Sequence, residues 1–167
     1  MKHPRTAIAA LSLSASALVG LLAHEGYSDK PIIPVAGDRW TIGFGSTFRE
    51  DGSPVRPGDR ITPPQAVRRS YAHIAKDEAG LKKCVTAPMT QGEYDTLVDF
   101  AYQYGVPTAC ASSIVKFTNE HRYKEACDAY LLYRFVAKRD CSIRENNCYG
   151  VWTRSLERQK KCLEAQP

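Results

Sequence analysis

The sequence predicts an α+β fold, mainly helical, with a small hairpin-containing lobe joined by a long helix to a larger helical lobe. Three observations predict it. Residues 32–44 place β-forming runs on either side of a Gly-Asp turn. After residue 61 the apolar residues recur at helical spacing. No internal repeat or low-complexity linker interrupts the chain. A composition that is 43% hydrophobic and 25% charged is that of a globular protein.

The chain opens with Lys2, His3 and Arg5, followed by 17 uncharged residues from Ala7 to Ala23. Positive charge before an apolar run marks an export signal. As a helix the run reaches only about 25 Å, short of a hydrocarbon core near 30 Å. Ten of its residues are Ala, Ser or Gly, so insertion is weakly favourable and reversible. Small-residue cleavage signals stand at Ala15-Ser16-Ala17 and at Ala23. Cleavage after Ala23 would leave Glu25 next to a new N-terminus with no helix to hold it. If Glu25 is catalytic, an uncleaved segment is the favoured reading, giving residues 1–23 as an N-terminal anchor and 24–167 as the main domain.

Ile32, Ile33 and Val35 form a first strand, Ala36-Gly37-Asp38-Arg39 a turn, and Trp40 to Phe44 a second strand. Residues 50–60 are a polar Gly/Pro loop that closes a small lobe spanning about 24–61. Thr62 caps the long helix with Pro63 in its first position, opening a helical lobe over about 62–167. Val67, Tyr71, Ile74 and Leu81 read as its apolar stripe. Thr90-Gln91-Gly92-Glu93 is a capping box for a helix carrying Tyr94, Leu97, Val98, Ala101 and Tyr102, stopped by Gly105 and Pro107. Tyr123 to Leu131 marks a further helix. A last one covers about 152–163, with Leu156 and Leu163 apolar and Arg154, Arg158, Lys160 and Lys161 on a solvated face.

The net charge of +5 suits an acidic partner without choosing among nucleic acid, anionic lipid and anionic cell wall. Six cysteines, all from Cys84 onward, contain no C-x-x-C pair, which argues against zinc and thioredoxin-like chemistry. An even count behind an export signal points to three disulfides in an oxidising compartment. Spacing favours Cys141–Cys148 and Cys110–Cys127, leaving Cys84–Cys162. The four histidines show no metal-ligand spacing, and a Cys/His peptidase needs a free thiol that an oxidising compartment withholds.

The most informative stretch is Glu25 to Thr47: a carboxylate ends one helical segment and a hairpin follows directly. Breaking a glycosidic bond needs an acid to protonate the leaving oxygen. It also needs a group on the other face of the sugar to stabilise positive charge or position water. A helix-end Glu facing a hairpin supplies two walls for such a reaction, and apolar neighbours such as Ile42 or Phe44 would raise its pKa.

Glu25-Gly26 with Thr41-Ile42-Gly43-Phe44-Gly45 resembles the active-site hairpin of phage-type lysozymes, glycoside hydrolase family 24. Pro57 to Thr62, Pro88 to Gly105, Ser112 to Val115 and Gly150 to Cys162 resemble later segments of that family in order, so the likeness runs from about residue 24 to 163. It implies a lysozyme-like fold and a muramidase acting on peptidoglycan polysaccharide. Glu25 would be general acid and Thr41 a water-positioning or charge-stabilising residue. It implies no cofactor, no metal and no nucleic-acid partner, and a monomer. Some members are signal-anchor-release endolysins. That implies export, tethering to the inner membrane through residues 7–23, and action in the periplasm after release. This anchor has no cysteine, so activation by disulfide exchange within it is closed and refolding alone remains.

The chain departs from the family in two places. The family's second carboxylate or cysteine falls nine residues after the Glu and six before the Thr. Here Pro34 and Val35 stand at those positions, and the Glu-to-Thr gap is one residue longer. Asp38 in the turn is the candidate replacement, with Asp29 the other carboxylate in the stretch. Ser46 also stands where many members have His. The misplaced carboxylate keeps two alternatives open: a lysozyme-like domain that binds wall or partner without cutting it, and a lytic transglycosylase, which uses a single Glu.

Overall fold

A computed structural model describes residues 4–34 and 37–167; Val35 of the expected first strand and Ala36 of the expected turn lie outside the described residues. Among the described residues the fold is mainly helical with two small antiparallel hairpins. The chain forms two compact units, one of Ser14–Lys76 and one of the residues up to Leu13 with Asp77–Pro167.

The Ser14–Lys76 unit begins with helix α1, Ala15–Glu25, capped by the Ser14 hydroxyl accepting from the Ala17 N–H at 3.2 Å. Leu21 and Leu22 are its buried residues. The backbone turns out of the helix at Gly26 with φ +70°. Strand β1 is Ser28–Ile32 and pairs antiparallel with β2, Thr41–Gly43: Ser28 faces Gly43 and Ile32 faces Thr41, with an irregularity between. The first strand therefore starts earlier than expected, at Ser28, and runs to Ile32. Its position is set by contacts far along the chain: the Tyr27 hydroxyl donates to Ile61 O at 2.8 Å, and Ile61 N–H donates to Asp29 O at 3.3 Å. Ile42, Val55, Ile61 and Ala66 form the core, with Trp40 and Phe44 packed against it.

Helix α2, Pro63–Cys84, starts where Thr62 and Pro63 predict. Gln65 Oε1 accepts from both the N–H and the hydroxyl of Thr62 at 2.9 Å. Its buried face is Ala66, Ser70, Ile74, Glu78 and Leu81, whereas Val67 and Tyr71 are exposed. The expected stripe is thus corrected in part: Ile74 and Leu81 are buried as expected, but Ala66, Ser70 and Glu78 take the other three buried positions in place of Val67 and Tyr71.

In the second unit, helix α3, Gln91–Tyr104, carries the full capping box: Glu93 N–H donates to Thr90 Oγ1, and Thr90 N–H donates to Glu93 Oε2 at 2.8 Å. Gly105 ends it, but Pro107 does not act as a stop; it sits in the first turn of α4, Val106–Cys110, where its missing N–H costs nothing. Helices α5, Ser113–Asn119, and α6, Tyr123–Ala129, follow. Next comes a hairpin of β3, Phe135–Val136, and β4, Arg139–Asp140, which the sequence did not announce. Helix α7 is Tyr149–Glu164, starting one turn earlier than expected. Arg158 on α7 is not on a solvated face: it is buried, its Nε donating to Asp99 Oδ2 and its Nη2 to Gln103 Oε1. Leu156, one of the two apolar residues read on this helix, is exposed. Phe100 anchors an aromatic cluster, with ring centroids 4.7 Å from Tyr104, 5.6 Å from Tyr130 and 4.6 Å from Tyr133.

Three disulfides join Cys84–Cys110, Cys127–Cys162 and Cys141–Cys148. The expected Cys141–Cys148 bond is present, while Cys84–Cys162 and Cys110–Cys127 are replaced. Helix packing decides this. Val106 presses on Gly80 so closely that a Cβ there would lie 2.7 Å from Val106 Cγ1, which brings α4 and Cys110 to the end of α2 at Cys84. Helix α6 packs along α7, which brings Cys127 to Cys162.

The start of the chain is folded against this second unit. Thr6 and Met89 exchange backbone hydrogen bonds at 2.8 and 2.9 Å. Ile8 and Leu11 are buried. The Leu13 N–H donates to buried Glu78 at 2.8 Å, and Lys82 Nζ donates to Leu11 O at 2.6 Å. The Arg5 guanidinium pairs with buried Glu93, its Nη2 2.6 Å from Oε1, and lies 3.4 Å from the Tyr123 ring centroid. Among the described residues no helix is long and apolar enough to cross a membrane.

Candidate active site

Glu25 is the last residue of α1, with an exposed side chain. The motif glycines explain what it faces. Gly43 and Gly45 have φ +68° and +80°, a left-handed conformation that costs other residues about 1–2 kcal/mol. Gly43 also lies against α2: a Cβ there would be 3.0 Å from Ala66 Cβ. Ile42 and Ser46 close the turn with reciprocal backbone bonds of 2.9 and 3.0 Å. The Gly45 Cα is left bare toward the carboxylate, so that a Cβ on it would lie 3.7 Å from Glu25 Oε2. The Tyr27 and Phe44 rings pack beside this turn at 5.5 Å between centroids. The two glycines of Thr-Ile-Gly-Phe-Gly thus have separate physical reasons: Gly43 lets the hairpin sit on a helix, and Gly45 holds the left-handed backbone of the turn that faces the acid.

The other expected residues are less closely gathered. Thr41 opens β2, opposite Ile32, and its hydroxyl donates to Ile32 O at 3.3 Å. It is half-buried, about 7 Å along the strand from Gly43. Asp38 is exposed in the connection between the strands. Asp29 lies on β1 with an exposed side chain, its backbone carbonyl engaged by Ile61. Tyr27 is an addition to the residues that the sequence singled out, whereas Gly45 belongs to the expected motif. Tyr27 gave no signal, because its partner Ile61 is remote in the chain.

A separate depression of 320 Å³ in the same unit is lined by Arg49, Asp59, Arg60, Gln65 and Arg69 around Ile42. Its central charges are already paired. Arg49 Nε donates to Asp59 Oδ2 at 2.8 Å and Nη2 to Oδ1 at 2.5 Å. Together with the Arg56 N–H, these bonds pull the Asp59 pKa down to about 2. None of Glu25, Thr41 or Asp38 lines it.

A helix-end carboxylate set against the glycine turn of a short hairpin, followed in the chain by a helical bundle, defines a lysozyme-like protein. The comparisons with known proteins agree. Residues 22–162 match the Phage lysozyme family, and the chain belongs to that family. It is 33% identical over 116 residues to the SAR-endolysin of Escherichia phage 933W, covering 69% of this chain and 65% of that protein. It is 28% identical over 133 residues to the endolysin of Salmonella phage P22, covering 77% of this chain and 87% of that one. The chain therefore spans slightly less than two thirds of the length of the SAR-endolysin it matches. The solved endolysin from Escherichia coli O157:H7 phage FAHEc1 superimposes with a TM-score of 0.79 at 25% identity, over 95% of this chain and 98% of that one.

Proposed function

We propose that this protein is a muramidase that hydrolyses the β-1,4 bonds between N-acetylmuramic acid and N-acetylglucosamine in peptidoglycan and lyses the host at the end of a phage cycle. The observation that carries the reading is the approach of the Glu25 carboxylate to the bare Gly45 turn in a chain of the phage lysozyme family. Glu25 is the general acid that protonates the leaving glycosidic oxygen. Thr41 and Asp38 act on the opposite side of the sugar, holding water or stabilising the oxocarbenium-like charge. A hydroxyl suits the first task because it accepts from water while donating to a carbonyl. The protein acts as a monomer and needs no cofactor. Digestion of purified sacculi with mass analysis of the products tests this. Reducing-end muropeptides support hydrolysis, anhydro-muropeptides would indicate a transglycosylase, and binding without products would indicate a non-catalytic wall binder.

We further propose that residues 7–23 tether the exported chain to the inner membrane before release, and that the segment is retained afterwards. The support is that its apolar residues Ile8, Leu11, Leu21 and Leu22 are buried within the folded chain, and that Arg5 before it holds Glu93. Cleavage after Ala17 would strip the contacts of Arg5, Ile8 and Leu11, and cleavage after Ala23 would remove those of Leu21 and Leu22 as well. N-terminal sequencing of the periplasmic form decides the matter: a chain still carrying Arg5 agrees, and one starting after either alanine contradicts it.

A further inference from the structure

The β3–β4 hairpin combines features that the muramidase reading does not use. Leu132, Phe135, Val136 and Ile143, on and beside it, are 58%, 51%, 38% and 49% exposed. Lys138, Arg139 and Arg144 stand among them, and none has a carboxylate partner among the described residues. Arg144 only stacks on Tyr149, 4.0 Å from its ring centroid. The nearby Asp140 does not neutralise them. Its carboxylate is taken by Arg134 Nε at 3.1 Å and by the N–H and hydroxyl of Ser142 at 2.9 and 2.7 Å. Glu145 alone remains against three cations, so the tip is net positive.

The hairpin is also held in place. Cys141 N–H donates to Arg134 O at 2.8 Å, and the Cys141–Cys148 disulfide closes its base. Its two-residue turn, Ala137-Lys138, has φ +46° and +67°, left-handed values that Ala and Lys adopt at a cost. The turn presents a lysine where glycine or asparagine would be the relaxed choice.

Exposed aliphatic and aromatic groups interleaved with unpaired cations match an anionic lipid surface. The apolar side chains enter the acyl boundary while the cations reach phosphate. Polysaccharide is the poorer match, because three of the four apolar groups, Leu132, Val136 and Ile143, are aliphatic, and only Phe135 offers a sugar an aromatic face. We propose that the β3–β4 hairpin docks the folded protein on an anionic bilayer surface, with Leu132, Phe135, Val136 and Ile143 at the acyl boundary and Lys138, Arg139 and Arg144 on lipid phosphates. This surface is separate from residues 7–23 and does not depend on the assignment of Glu25.

The test is co-sedimentation of the full, disulfide-bonded chain with vesicles of phosphatidylcholine, and with vesicles containing an equal share of phosphatidylglycerol. Preferential binding to the anionic vesicles, weakened by salt, is expected. Lys138→Gly is the key variant. It removes one cation and relieves the turn, so weakened binding cannot be attributed to unfolding. Its partitioning falls about fivefold, and that of the triple variant Lys138→Gly, Arg139→Gln, Arg144→Gln about a hundredfold, at ~1 kcal/mol per cation. Phe135→Ser lowers it as well, while sacculus digestion stays unchanged in all three. Any contribution of residues 7–23 is common to every variant. Equal binding of all variants, binding to sacculi without binding to vesicles, or self-association that Phe135→Ser abolishes would each overturn the proposal.

Discussion

Glu25 Oε2 lies 3.7 Å from the point where a side chain on Gly45 would begin. The helix end and the hairpin turn therefore constrain each other. Glu25 keeps its place only while residue 45 carries nothing beyond a Cβ, and residue 45 keeps φ +80° cheaply only as glycine. Two substitutions separate the effects. Gly45→Ala costs about 1–2 kcal/mol from backbone strain alone, since 3.7 Å is ordinary contact. Gly45→Val adds branches that displace the carboxylate, and activity falls about a hundredfold, as a misplacement near 1 Å does. Thermal melting and sacculus digestion, run together, read the two effects apart.

Arg5 supplies the cation for Glu93, whose side chain is 2% exposed. Arg5→Leu leaves that carboxylate supported only by Gln166 and the capping N–H. The expected loss is about 2–3 kcal/mol, below the value for a fully buried pair because Arg5 is partly exposed. This corresponds to a melting temperature about 4–12 °C lower. Arg5→Lys recovers only part of it, since one ammonium cannot reproduce the two-nitrogen contact and the stacking on Tyr123.

Asp59 titrates near 2 in the folded chain, against about 3.9 for an unfolded aspartate. A depressed carboxylate stabilises the fold above the unfolded value and ceases to do so as pH falls through the folded one. The melting temperature of the parent chain should thus exceed that of Asp59→Asn above about pH 4. The gap should close as pH approaches 2. A gap that is constant across this range would place the contribution elsewhere than the Arg49 pair.

The pairing Cys84–Cys110 closes a loop with a sequence separation of 26. Replacing both cysteines by serine removes about 3–4 kcal/mol on the chain-entropy account, or about 6–16 °C in melting temperature. Peptide mapping under non-reducing conditions should recover Cys84 with Cys110 and Cys127 with Cys162; recovery of a Cys84–Cys162 peptide would contradict the packing described above.

What could be read from the sequence was what is decided locally. The Thr90–Glu93 capping box and the start of α2 at Pro63 depend on residues within one turn, and both are present. The glycine spacing of Thr41 to Gly45 was legible because left-handed backbone restricts residue type. Long-range contacts were not legible. Strand β1 is placed by Tyr27 and Asp29 meeting Ile61, so its register gave no signal in Ile32 to Val35. The buried face of α2 includes Ser70 and Glu78, which hydropathy assigns to solvent; Glu78 is inside because the Leu13 N–H and the Tyr94 hydroxyl satisfy it. Arg158 escaped notice for the same reason, Asp99 and Gln103 being distant in sequence. The β3–β4 hairpin lacks an Asn-Gly or Asp-Gly turn, the usual sequence mark. Of the candidate site, the helix-end acid and the glycine turn were readable. The second carboxylate was not, because Pro34 and Val35 occupy the positions where the family pattern would have named it.

The most direct test of the central claim is the digestion rate of purified sacculi by the unmutated chain, Glu25→Gln and Asp38→Asn, each verified as folded by its melting curve. If Glu25 is the general acid, Glu25→Gln releases no reducing-end muropeptides above background while melting like the parent, and Asp38→Asn is slowed. Digestion by Glu25→Gln at the parent rate would contradict the account and move the acid to another residue.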